Sequence, residues 1–156
     1  MTHIDQCWSM DFVSDRLFNG RHFRALTVVD NFSRECLAIH EGKSLKGEVV
    51  VSVMDALNRY HGSEFISKSL DKWAYEHGVT MDFSRPGKPT DNPYIESFNG
   101  SLRDECLNIH WFLSLEDAQD KLDNWRREYN HERTHSSLND MTPAEFIRSI
   151  QKDEDL

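Results

Sequence analysis

The sequence predicts an α/β domain in which a mixed sheet is flanked by helices. Short runs rich in β-branched and aromatic residues fill the first 40 positions, with Asn19-Gly20 as a hairpin turn between the first two. Helical spacing of apolar residues follows from Lys46 onward, and one alternating segment, Val79 to Phe83, returns as a strand between helical stretches.

Taken in order, Trp8 to Val13 reads as a short strand and Phe23 to Val29 as its hairpin partner. Asn31 to Arg34 turns the chain into a third strand, Glu35 to His40, and Asp30 and Asn31 have the composition of turn residues. Lys46 to Asn58 places Val49, Val50, Val53, Met54 and Leu57 on one buried helical face, and Ser63 to His77 is a second helix stopped by Gly78. Trp73 and Tyr75 fit the core and rim of that helix better than a base-stacking platform. After Val79 to Phe83, the loop Ser84 to Asn92 carries two prolines and a glycine into another helix. Ser114 caps a helix running to about Tyr129, with Asp117 at its third position, and Thr142-Pro143 opens a short last one. One domain over residues 1–150 with a tail at 151–156 accounts for the chain, which has no internal repeat or linker.

The helix after residue 92 carries the most chemistry. Asn92 is a good N-cap and Pro93 a good first residue, so Glu96 falls in the first turn, with Arg103 two turns on along the same face. Tyr94, Ile95, Phe98 and Leu102 form a neighbouring apolar stripe that seats the helix on a core. A carboxylate and a guanidinium so placed suit a metal ion beside a phosphate, and equally suit an ordinary surface ion pair.

Composition narrows the class. With 156 residues, 38% hydrophobic, the chain can bury a real core, and it has no apolar run near 18 residues and no basic-then-apolar leader. A cytoplasmic bacterial protein without a membrane partner is expected. Cys7, Cys36 and Cys106 lack CxxC spacing and read as free thiols. The formal charge of −9 argues against tight non-specific DNA binding and leaves Arg85, Lys88 and Arg103 as the best-placed local cations.

The motifs Trp8-Ser9-Met10-Asp11-Phe12-Val13, Leu26 to Arg34, Gly62-Ser63-Glu64-Phe65, Asp82 to Pro93 and Tyr129-Asn130 through Pro143-Ala144-Glu145 together resemble, nearly end to end, the catalytic core of bacterial insertion-sequence transposases of the retroviral-integrase type. The resemblance implies an RNase H-like fold, DNA transposition by metal-dependent strand cleavage and transfer, Mg²⁺ or Mn²⁺ as cofactor, and DNA at the element ends and target as partner, with a homo-oligomer as a further possibility. It assigns Asp11 and Glu96 to catalysis and metal binding, and Arg103, Lys88 and Arg85 to DNA. The family's helix-turn-helix region is expected on a separate polypeptide.

One family residue is missing. Aligning through Gly62 puts Tyr60 where the family has its second metal-bridging Asp, with 35 residues between Tyr60 and Glu96 as in the family. A phenol stays protonated near neutral pH and is a poor ligand for a hard cation, so metal binding is expected to be weakened. Nor is there an apolar β-branched run between Asn58 and Gly62 to supply the family's strand, so roughly a dozen residues are absent. An internal deletion, or an error in the gene model, leaves this trace. The family's missing strand is a central one, so either the later strand pairs directly with the first or the sheet splits. The alternative function is a non-catalytic remnant retaining DNA-binding or subunit-pairing surface.

Glu64, Asp55 and His61 could substitute as ligands but read more simply as helix surface and helix end. His131 and His135, four residues apart, could suggest zinc, and the family pattern around them favours a structural or DNA-proximal loop, with Thr134 in place of the usual proline.

Overall fold

The computed structural model describes residue 4 and residues 7–42, 80–83 and 93–154. Strands β1 (Cys7–Arg16), β2 (His22–Asp30), β3 (Cys36–Gly42) and β4 (Thr80–Phe83) precede α1 (Pro93–Leu102), α2 (Leu115–His131) and α3 (Pro143–Glu154). The two expected helices between residues 46 and 77, and the loop carrying Arg85 and Lys88, lie outside the described residues, as does Tyr60.

The sheet order is β3-β2-β1-β4. β1 and β2 form the expected hairpin, with Trp8 opposite Asp30 and Asp11 opposite Thr27. Its turn needs a left-handed residue, which Gly20 supplies at φ +87, while the Asn19 side chain accepts from the Arg21 N–H. Asp30 is the turn residue its composition suggested, its carboxylate accepting the N–H groups of Phe32 and Ser33 at the β2–β3 corner.

β4 pairs directly with β1, in parallel, from Cys7 opposite Thr80 to Met10 opposite Phe83. The later strand therefore joins the first with no split in the sheet. β4 reaches only the first part of β1. Leu17 N–H bonds to the Arg21 carbonyl, so the even-numbered residues of β1 turn their backbone groups away from β2, toward the side that β4 occupies. Beyond β4 those groups find side chains. Asp11 Oδ1 accepts the Phe12 N–H, Asp15 Oδ1 accepts the Arg16 N–H, and Arg103 donates to the Ser14 carbonyl. An edge so occupied is a poor template for another strand.

Side-chain alternation divides the core. Val13 on β1 and Phe23, Ala25 and Val29 on β2 face α1 and α2, while Trp8, Met10, Leu26 and Val28 are buried on the opposite face. α1 packs on α2 through Phe98, edge-on to Trp125 at 5.3 Å and to Tyr129 at 4.9 Å. α1 continues into a π-helical turn, Arg103–Leu107, closed by Asn108 N–H to the Arg103 carbonyl. The extra residue in that turn lets both Cys106 and Leu107 reach the core.

The helix starts predicted at Ser114 and Thr142 form, while the expected cap Asn92 lies outside the described residues. Ser114 Oγ accepts the Asp117 N–H, and the Asp117 carboxylate accepts the Leu113 N–H. Thr142 and Glu145 make a reciprocal capping box ahead of α3, which is longer than expected and runs to Glu154. Cys36 and Cys106 are free buried thiols, as their spacing implied. Burial pushes both thiols up, Cys106 to about 11. No helix among the described residues is long and apolar enough to cross a membrane.

The end of α2 is fastened to the sheet by one side chain. Buried Asn130 accepts the Cys36 N–H at 2.7 Å and donates to the Cys36 carbonyl at 2.9 Å, doing for β3 what a neighbouring strand would. Replacing Asn130 with Ala orphans the Cys36 N–H and leaves the Cys36 carbonyl only the longer bond from Arg126 at 3.3 Å, so Asn130→Ala should lower unfolding free energy by about 1–3 kcal/mol in urea titrations. A loss below about 0.5 kcal/mol would show that the pairing is dispensable.

Candidate metal and nucleic-acid site

Asp11 sits mid-strand on β1, on the face that α1 covers, where neither oxygen is idle. Oδ1 accepts the Phe12 N–H at 2.8 Å and Oδ2 accepts from Asn99 Nδ2 at 3.2 Å. Asn99 is one helical turn beyond Glu96, on α1. Its carbonyl oxygen accepts the hydroxyl of Thr27, directly across the ladder from Asp11, at 3.0 Å. A buried amide thus ties the helix to two adjacent strands and fixes the Asp11 carboxylate beneath the first turns of α1.

The electrostatics of Asp11 follow from that position. Burial raises its pKa above the ordinary carboxylate value, and the like charge of Glu96 raises it further. The Phe12 and Asn99 hydrogen bonds and the charge of Arg24, which lies over the Phe12 ring, act in the opposite direction without cancelling the rise. Asp11 and Glu96 are therefore brought close enough to repel, both half-buried. Each Asp11 oxygen makes one hydrogen bond and keeps acceptor capacity, as a hard cation with several waters requires. Among the described residues no group of three or more His, Cys, Asp or Glu side chains is gathered to hold a metal.

Arg103 does not form the surface ion pair that helical spacing alone would allow. Rather than pairing with Glu96, its guanidinium donates to the Ser14 carbonyl at 3.0 Å, at the stretch of β1 that β4 does not reach. The two histidines of the 129–138 segment are also set apart. His131 is exposed at the end of α2, whereas His135 packs edge-on against Tyr129. Sequence reasoning missed Asn99 and Thr27. The available signal was a polar residue three positions after Glu96, on a helix whose neighbouring positions are apolar.

Comparison with known proteins follows the same lines. Residues 2–89 match a family described as integrase core domain, and residues 77–143 match a second family of that description. A 31.7 kDa protein of insertion element IS407 from Burkholderia multivorans is 45% identical over 152 residues, covering 91% of this chain and 55% of the relative. A 39.2 kDa protein of insertion element IS476 from Xanthomonas euvesicatoria is 46% identical, over 92% of this chain and 44% of its own. The chain spans about half the length of these relatives. The fold matches the HTLV-2 integrase catalytic core domain solved with magnesium, at TM-score 0.62 and 12% identity, over 91% of this chain and 95% of that one. The architecture is RNase H-like, and the chain belongs to the integrase core domain family.

Proposed function

We propose that this chain is the catalytic core of an insertion-element transposase, shaped for metal-dependent cleavage and joining of DNA strands, with a metal site reduced from three carboxylates to two. The Asp11–Glu96 pair carries the reading. Asp11 is half-buried with its pKa raised by burial and by the charge of Glu96, a cation between the two carboxylates would offset that cost, and oxygen ligands of this kind suit Mg²⁺ or Mn²⁺. When bound, such an ion supplies Lewis-acid polarisation of a phosphoryl oxygen and activation of the attacking water or 3′-hydroxyl.

The protein's own part is positioning. Asn99 and the Phe12 N–H hold the Asp11 carboxylate in one orientation, and the first turns of α1 present Glu96 beside it. Arg103 spends one donor on Ser14, and a guanidinium has five, so it can still meet a DNA phosphate. Arg85 and Lys88 are assigned to DNA contact as well, and a second copy of the chain to the assembly.

Tyr60 is assigned the place of the second metal-bridging aspartate. The match to the Burkholderia relative runs over 152 positions yet draws on 91% of 156 residues, leaving about ten positions filled by the relative alone, a length that agrees with a lost strand. Direct pairing of β4 with β1 supports it too, because that is how the sheet closes when the intervening strand is lost.

Mn²⁺ titration of the whole chain should find one weakly bound ion, with affinity falling about tenfold or more in both Asp11→Asn and Glu96→Gln. Two bound ions, or uptake indifferent to both substitutions, would contradict the site. On a pre-cut element end with Mg²⁺ or Mn²⁺, strand transfer should be undetectable for the native chain and for Tyr60→Asp. It should return when the whole strand and loop bearing the aspartate are inserted, because a catalytic group must be held within about 0.5 Å of its working geometry. Transfer by the native chain that disappears in Asp11→Asn would show that the site is complete as it stands.

A further inference from the structure

We propose that the cavity on the opposite side of α1 from Glu96 is a second, metal-independent site that binds a backbone phosphate of nucleic acid. At 100° per residue, Tyr94, Ser97, Phe98 and Ser101 share one side of α1, while Glu96, Asn99 and Arg103 share the other. The first group forms one wall of a cavity of about 350 Å³, closed by the β2–β3 corner and by the segment after α2.

Its chemistry is that of an anion receptor. Arg34 and Arg133 enter it together with His135 and the hydroxyls of Ser97, Ser101 and Ser137, and none of its described lining residues is acidic, in a chain of net charge −9. Arg133 is partly committed through an ion pair with Glu105. Arg34 has no such pair. Its guanidinium lies 3.9 Å over the Tyr94 ring, and its Nη1 is buried without a hydrogen-bond partner. His135 Nε2 is buried and unpartnered as well. Buried donors left unsatisfied are costly, and a phosphate oxygen is the acceptor that guanidinium, hydroxyl and imidazole groups have in common. Arg34 is also held in a left-handed conformation, φ 64, by the tight β2–β3 corner, which aims its side chain back over α1. The 129–138 segment, with its paired histidines, thus contributes one wall of an anion pocket rather than a zinc site.

The identity of the anion as a nucleic-acid phosphate rests on the reading that the chain acts on DNA. The test is therefore made in chelator, so that failure of the metal site leaves it intact. Arg34→Asn removes the cation and keeps a residue that tolerates positive φ, Ser97→Asp puts a carboxylate at an exposed helical position, and Arg34→Lys restores the charge alone. Anisotropy of a short fluorescein-labelled duplex should show about tenfold weaker binding for Arg34→Asn and for Ser97→Asp, partial recovery in Arg34→Lys, and a salt dependence about one unit shallower for Arg34→Asn. Calorimetry with inorganic phosphate should show the same ranking at lower affinity. Duplex binding within about twofold of the native chain in both variants overturns the proposal, as does no binding of either probe. Loss of phosphate binding with duplex binding unchanged, or phosphate bound and duplex not, overturns the nucleic-acid assignment in favour of a free anion.

Discussion

The hydrogen bonds through the side-chain amide of Asn99 are the constraint on which the site depends. A helix laid on a sheet by apolar contacts alone can slide or rotate by a fraction of a turn at small cost, because dispersion contacts are non-directional. Asn99 removes that freedom by donating to half-buried Asp11 on β1 and accepting from buried Thr27 on β2. Glu96, one turn earlier, is thereby set beside Asp11. The Asp11 pKa is raised, first by burial and then by the charge of Glu96.

The sheet closes directly from β1 to β4. β1 is long and β4 short, so only Cys7–Met10 gains a parallel neighbour. The rest of that edge is satisfied by Asp11, Asp15 and Arg103. In the proposed reading Asp11 and Arg103 each do two things. The same groups that complete the edge of β1 are those a metal and a phosphate would call upon. Such double use explains why Arg103 does not pair with Glu96, the partner that helical spacing alone would choose.

Much of this was legible in the sequence because it rests on local rules. The Asn19-Gly20 turn, the Asp30 corner, the Ser114 cap and the helix start at Thr142-Pro143 depend on residues within a few positions of one another, and each formed as its composition implied. The electrostatic influence of Glu96 on Asp11 could be anticipated from family motifs and not from spacing, since 85 positions separate them. What escaped was non-local: Asn130 serving as a substitute strand for Cys36, Thr27 answering Asn99, and the π-helical turn that redirects the chain after Leu102. Arg34 illustrates the limit well. In sequence it is one more turn residue, and only the fold lays it over Tyr94 and against the segment after α2.

Anomalous diffraction from crystals soaked in Mn²⁺ tests the central claim most directly, because it locates the ion and its ligands together. One peak with oxygens of both Asp11 and Glu96 at about 2.0–2.6 Å is the expected result. Carboxylates more than roughly 10 Å apart, with no manganese between them, would contradict the account, since no single ion could then be shared.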